Sequence, residues 1–174
     1  MGDGLNDFGN KFSGSKSAFG AKPIEGNEVP NGTYDAVVST ATLKVSSTGK
    51  PMLVFMFTIL NPAENKGIKC YGRKLFRNVM LPTDEELESE PEKAEKKGGY
   101  LNGDVQKLGI ELMRPDEEPN EYLSRIVAEA PNTVVSLKRS TNGNFKNVDI
   151  VKRVGSLNEG AEDFYVDKNA DTPF

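Results

Sequence analysis

Apolar positions at strand spacing predict β-structure along most of the chain between residues 29 and 155. Tyr34, Ala36 and Val38 share one parity, and Ala41 continues the pattern on the other. A one-residue slip turns side chains to the opposite face, so this change of phase predicts a long strand with a β-bulge. The run PMLVFMFTIL at 51–60 is apolar on both parities. It predicts a central strand. Either protein covers both of its faces, or a ligand covers one of them.

A third strand and an acidic segment come next. The segment IKCYGRKLFRNVML at 68–81 predicts a strand in which Gly72 marks a bulge or a close backbone approach. Residues 84–99 are then rich in acids and lysines. Such a mixture predicts an acidic loop or a loose, solvated helix.

Helical spacing appears after the acidic segment. Leu101, Val105 and Leu108 recur at positions that share one helix face, and Asn102 is a candidate N-cap. Residues 119–130 predict a second short helix, because Pro131 cannot continue it.

The last two strands are predicted on either side of Asn142-Gly143, a strong signal for a tight hairpin. The order is therefore three strands, a helical insert and two strands. This order predicts a mainly β fold, an OB-fold-like five-stranded Greek-key barrel. We expect this domain at 29–155, with a flexible arm at 1–28 and an acidic tail at 156–174.

Composition excludes several classes of site. The chain has one cysteine and no histidine. A disulfide within the chain, a Cys/His zinc site and histidine-based catalytic triads are therefore excluded. We expect no cofactor and no metal. No apolar run is long enough to span a membrane and the N-terminus does not resemble a secretion signal, so we expect a cytoplasmic protein.

Charge is divided unevenly along the chain. From Ser156 onward there are five acids and one lysine, which account for the whole net charge of −4 and leave the rest neutral. Two basic stretches interrupt the neutral part, at 66–77 without any acid and at 138–153 with one. Clustered cations with interleaved aromatic rings are typical of proteins that bind single-stranded nucleic acid.

The candidate nucleic-acid contacts lie on the third strand, on the last hairpin and around the first turn. They are Lys44, Lys50, Lys69, Tyr71, Arg73, Lys74, Arg77, Lys138, Arg139, Phe145 and Lys146. Phe55, Phe57 and Phe76 are expected in the core, because a small barrel needs large side chains to fill it. Tyr71 and Phe145 could serve either the core or the interface.

The final residues DKNADTPF resemble the tips of single-stranded DNA-binding proteins of bacteria and phages, which end in acids and a terminal Phe. The resemblance implies that this tip docks on replication and recombination proteins such as helicase, polymerase or recombinase. The candidate partner-binding residues are Phe164, Tyr165, Asp171, Pro173 and Phe174. The sequence departs from the family pattern because Asp171 is the only acid among the last six residues and Lys168 interrupts the acidic run.

The body, from about Val29 to Val154, is similar to a family of phage single-stranded DNA-binding proteins. The shared features are the G-T-Y opening, the S-S-T-G-K-P turn, the G-R-K-L-F strand and a helix with an L-G step. The resemblance implies a non-catalytic protein that coats unpaired DNA in phage replication or recombination, in the host cytoplasm.

Two other functions remain open. One is a replisome or recombination adaptor whose groove binds a protein partner. The other is an enzyme in which Asp84, Glu85 and Glu86 hold Mg²⁺, although a catalytic site requires a rigid frame. The oligomeric state and the preference for DNA or RNA are also open.

Overall fold

The computed structural model describes residues 19, 20 and 28–157. From residue 28 to residue 157 the chain forms a mainly β structure with seven strands and three helices. The strands are β1 (Gly32–Val45), β2 (Pro51–Asn61), β3 (Glu64–Asn65), β4 (Ile68–Lys69), β5 (Lys74–Met80), β6 (Thr133–Asn142) and β7 (Phe145–Ser156). The helices are α1 (Asp84–Ser89), α2 (Pro91–Lys107) and α3 (Pro119–Glu129). No helix in this part of the chain is long and apolar enough to cross a membrane.

Five strands form one antiparallel sheet in the order β5-β2-β1-β6-β7, and β3 and β4 form a separate small hairpin. Strand β1 is central: it pairs with β2 over nearly all its length and with β6 over Gly32–Val37. Its register against β2 shifts between Asp35 and Ala36 and between Val38 and Thr40. The predicted change of phase in this strand is therefore confirmed.

One face of the sheet, here called the inner face, forms the core. Tyr34, Phe55, Phe57, Leu137 and Ile150 are almost completely buried there. The rings of Phe55 and Phe57 lie with their centroids 6.2 Å apart, which confirms their expected core role. Leu101 and Val105 of α2 and Ile126 of α3 pack on the same cluster. The two helices therefore cover the inner face, as their apolar spacing predicts.

The acidic segment 84–99 lies almost entirely in α1 and α2, so of the two predicted alternatives the helix is confirmed and the acidic loop was wrong. The Thr83 hydroxyl accepts a hydrogen bond from the Glu86 amide at 3.2 Å and caps α1. Acids in the first turn of α1 interact favourably with the helix dipole. Pro91 begins α2. The backbone N–H of a first helical residue has no partner within the helix, so proline loses no hydrogen bond there. Lys97 pairs with Glu86 at 2.7 Å and joins the two helices.

Asn102 lies inside α2, so the expectation that it caps a helix was also wrong. Its side-chain oxygen accepts a hydrogen bond from the Tyr122 hydroxyl at 2.7 Å, which ties α2 to α3. The second predicted helix is confirmed, since α3 spans Pro119–Glu129.

The predicted third strand is divided. Strand β4 ends at Lys69, and Gly72 takes a positive φ of 80° before β5 begins at Lys74. The amide of Gly72 donates to the Ile59 carbonyl at 2.8 Å, and the Ile59 amide donates to the Arg73 carbonyl at 2.9 Å. The segment therefore stays on β2 while the chain changes direction.

The two edge strands of the sheet, β5 and β7, are not joined by backbone hydrogen bonds in the described part of the chain. Arg77 of β5 nevertheless reaches β7: its guanidinium donates to the Val148 carbonyl at 2.7 Å and to the Asp149 carboxylate at 2.9 Å. The sheet thus curls enough for its two edges to meet through one side chain. The predicted hairpin at Asn142-Gly143 is confirmed between β6 and β7.

Candidate nucleic-acid interface

The face of β1, β2 and β5 opposite the core, here called the outer face, carries aromatic, polar and cationic side chains. Register places Thr40, Met56 and Phe76 in one row across the three strands. Thr58 and Lys74 form the adjoining row at one side. Both helices that cover the core pack on the inner face, so the row through Phe76 stays open to solvent.

Phe76 lies on this outer face with 57% of its surface exposed, and the expectation that it belongs to the core was wrong. Leu75 and Val79 take the buried parity of β5, whereas Phe76 shares its parity with Lys74 and Asn78, both exposed. Phe76 was therefore not among the candidate contacts predicted from the sequence. Its strand parity with the polar residues Lys74 and Asn78 could have identified it from the sequence.

Lys74 is held beside Phe76 by a short network. Its ammonium donates to the Thr58 hydroxyl at 2.5 Å, and the Thr58 and Ser39 hydroxyls are hydrogen-bonded at 2.5 Å. Lys74 forms no salt bridge with another described residue. Its charge therefore remains available to an anion next to the exposed ring.

Lys44 and Lys50 lie at the other end of the same face, around the β1–β2 turn. Lys44 faces Met52 across the two strands, and both lysines are exposed. The turn is fixed by a hydrogen bond from the Lys50 amide to the Ser46 hydroxyl at 3.1 Å. Met52 and Thr58 bracket about 20 Å of β2. Cations therefore stand at both ends of a face that has Phe76 between them.

The residues around β4 lie outside the row through Phe76. Lys69 is exposed, and the Arg73 guanidinium contacts the Lys69 carbonyl at 3.5 Å. Tyr71 is half-buried and packs against a small cluster of Val37, Leu60 and Val134. Its ring is thus largely committed to packing.

Arg77, predicted to contact nucleic acid, lies between acids instead. Its guanidinium pairs with Asp104 of α2 at 2.7 Å and with Asp149 at 2.9 Å. Burial lowers the pKa of Arg77, but the hydrogen bonds and charges of Asp104 and Asp149 outweigh burial and raise it. Its guanidinium donates to groups within the fold, so Arg77 is not available to a ligand in the way that Lys74 is.

The β6–β7 hairpin adds cations that also have acidic neighbours. Glu28 pairs with Lys146 and lies 3.8 Å from the Arg139 guanidinium. The hydrogen bond from Lys146 lowers the pKa of Glu28. Lys138 faces Asp149 across the strands. Phe145 at the tip is 75% exposed, which leaves its ring accessible.

The predicted residues therefore do not form one surface. Lys69, Tyr71 and Arg73 lie around β4, and Phe145 lies at the tip of the β6–β7 hairpin. Lys44, Lys50, Lys74 and the unpredicted Phe76 share the β1–β2–β5 surface, whereas Arg77, Lys138, Arg139 and Lys146 lie beside carboxylates. The predicted tail residues Phe164, Tyr165, Asp171, Pro173 and Phe174 lie outside the described residues. Within the described residues, no group of three or more acids or cysteines could hold a metal ion.

Sequence comparison places this body in a family. The family described as "Protein of unknown function (DUF669)" matches residues 20–162. The chain belongs to the DUF669 family. The match takes in every strand and helix of the described DUF669 body, including the outer face and the β6–β7 hairpin. A search of curated proteins found no match to the chain.

Proposed function

We propose that the protein binds single-stranded DNA non-catalytically, coating and protecting unpaired strands during phage replication or recombination. The strand would cross the outer face, with a base stacked on Phe76 and phosphates near Lys74, Lys44 and Lys50. In this proposal the 156–174 tail recruits replication or recombination proteins.

The sheet order supports an OB-fold-like interpretation. In an OB-fold, the surface of the second and third strands and the loops beside it bind oligonucleotides. The corresponding strands here are β2 and β5, which carry Met56 and Phe76 on the outer face. The Arg77 bridge between β5 and β7 lies where such a barrel closes. The helical insert between β5 and β6 also agrees with this fold.

The observation that carries the proposal is the exposed ring of Phe76. A large apolar ring on a sheet face is in unfavourable contact with water until a ligand covers it. A base that stacks on an aromatic side chain contributes ~1–3 kcal/mol to the binding free energy. Cations bracket this ring at both ends of the face. Together the ring and cations match the needs of an unpaired, charged strand better than those of a duplex, whose bases are already stacked.

A binding titration tests the proposal. We expect the full-length protein to bind labelled oligo-dT more tightly than duplex DNA of the same length. If ~4 phosphates are contacted, log affinity should fall with log salt at a slope near −3. The same titration with single-stranded RNA of matched sequence would show whether the protein distinguishes ribose from deoxyribose. Absence of oligo-dT binding at micromolar protein, or binding without salt dependence, would exclude this function and favour the protein-binding adaptor.

A further inference from the structure

A groove lies at the edge of the outer face. It lies between the edge strand β5 and helix α2 and has a volume of about 340 Å³. Its lining residues are Arg77, Asn78, Val79, Met80, Lys97 and Tyr100. Two of these residues, Asn78 and Tyr100, are exposed and could contact a ligand without displacing the core.

Tyr100 presents a largely accessible ring, 69% exposed, on α2. Neither its hydroxyl nor the Asn78 amide makes a side-chain hydrogen bond to another described residue. Other tyrosines of the body are committed to packing: Tyr34 and Tyr122 are buried, and Tyr71 is half-buried. Tyr100 is thus an accessible ring at the β5 edge of the sheet, on the helix that covers the inner face.

The groove continues from the surface around Phe76. Asn78 lies two residues beyond Phe76 on the same face of β5, about 7 Å along the strand, and also lines the groove. A DNA strand with one base stacked on Phe76 and its backbone running along β5 would therefore bring its next nucleotides to the groove. Arg77 and Lys97 bring positive charge to its wall, although each is paired with an acid.

We propose that this groove is a second base-binding subsite for the same single strand. A nucleobase stacks on Tyr100, and the Asn78 amide, which can both donate and accept, bonds to the polar edge of that base. This inference rests on the proposed function. The bound DNA strand then runs along β5 from Lys74 through Phe76 to α2.

The test compares Tyr100→Ala with Tyr100→Phe, which keeps the ring. We expect Tyr100→Ala to bind oligo-dT of about 12 nucleotides roughly tenfold more weakly and oligo-dT of about 4 nucleotides unchanged, since the short strand need not reach the groove. Tyr100→Phe should retain the affinity of the unmodified protein. Equal loss in both variants would overturn the stacking role.

Tyrosine emission gives a second readout, because the chain contains five tyrosines and no tryptophan. We expect saturation with the longer oligonucleotide to quench emission more in the unmodified protein than in Tyr100→Phe. If Phe76→Ala weakens binding while Tyr100→Ala leaves affinity unchanged at every length, the second subsite is overturned and the proposed function stands. If the unmodified protein binds no oligo-dT, both are overturned.

Discussion

Phe76 is the side chain on which the proposed interface depends most directly. Replacing it by Ala removes the stacking surface but little packing, because more than half of the ring is exposed. We expect Phe76→Ala to weaken oligo-dT binding by about 1–3 kcal/mol while the unfolding midpoint changes little. A fluorescence titration with a parallel thermal melt measures both.

Leu87 of α1 offers a matched control for Phe76. It is 56% exposed, so its truncation removes a similarly accessible apolar side chain from a helix rather than from the outer face. Leu87→Ala should leave DNA affinity unchanged. Equal binding by Phe76→Ala and Leu87→Ala would contradict the role assigned to the ring.

Glu117 gives a prediction about acid stability. Both of its carboxylate oxygens accept hydrogen bonds from Arg125, at 2.7 and 2.8 Å, and the bond from Arg125 lowers the pKa of Glu117 to about 2. A carboxyl group whose pKa is lower in the folded than in the unfolded chain stabilises the fold at pH values above the unfolded pKa, about 4.3. This contribution is lost as the pH falls towards 2. We therefore expect Glu117→Gln to melt at a lower temperature than the unmodified protein at pH 7. The difference should shrink between about pH 4.5 and pH 2, and a difference independent of pH would refute this assignment.

At the scale of elements, Arg77 and Asp104 join α2 to the edge of the sheet. The Asp104 side chain is only 4% exposed, so removing its cation leaves a buried charge unpaired. We expect Arg77→Met to destabilise the protein by about 3 kcal/mol in urea unfolding. The double variant Arg77→Met with Asp104→Leu should recover much of this loss, because no buried charge remains. A loss in the double variant as large as in the single one would argue that the bridge to Val148 matters more than the ion pair.

The same elements show what a sequence pattern can predict. Period-two spacing identified the strands, and the break in phase within β1 identified its bulge, because both arise from residues close in the sequence. The pairing of Arg77 with Asp104 joins residues 27 positions apart, and that of Glu28 with Lys146 joins residues 118 apart. Periodicity carries no signal for such contacts. The basic stretches were therefore visible in the composition, whereas the pairing of Arg77, Arg139 and Lys146 with distant acids was not.

Helix α1 illustrates a second kind of miss. The acid-rich composition of 84–99 argued for solvation, but the Thr83 cap and the Pro91 start are local signals for helices that composition obscured. Phe76 was misplaced for a related reason. Its size suggested the core, whereas its parity along β5, shared with the exposed residues Lys74 and Asn78, placed it on the surface.

At the scale of the whole molecule, the distribution of charge makes the tail a determinant of affinity. Residues 156–174 carry the entire net charge of −4, and the remaining residues are neutral overall. A chain ending after Leu157 should therefore bind single-stranded DNA more tightly than the full-length chain, because it lacks an anionic segment that repels phosphate. Since this repulsion is screened by salt, the gain should be larger at about 50 mM than at about 200 mM salt.

Removing Phe174 alone separates charge from recruitment. The deletion leaves every acidic side chain in place, so DNA affinity should be preserved or raised, whereas binding to replication or recombination proteins should be lost if a terminal ring enters their pockets. Paired measurements, an oligo-dT titration and a pull-down against a purified helicase, polymerase or recombinase of the same replication system, distinguish the two effects. A Phe174 deletion that folds normally but no longer binds DNA would contradict this division of labour, because it would make the tail part of the DNA-binding surface itself.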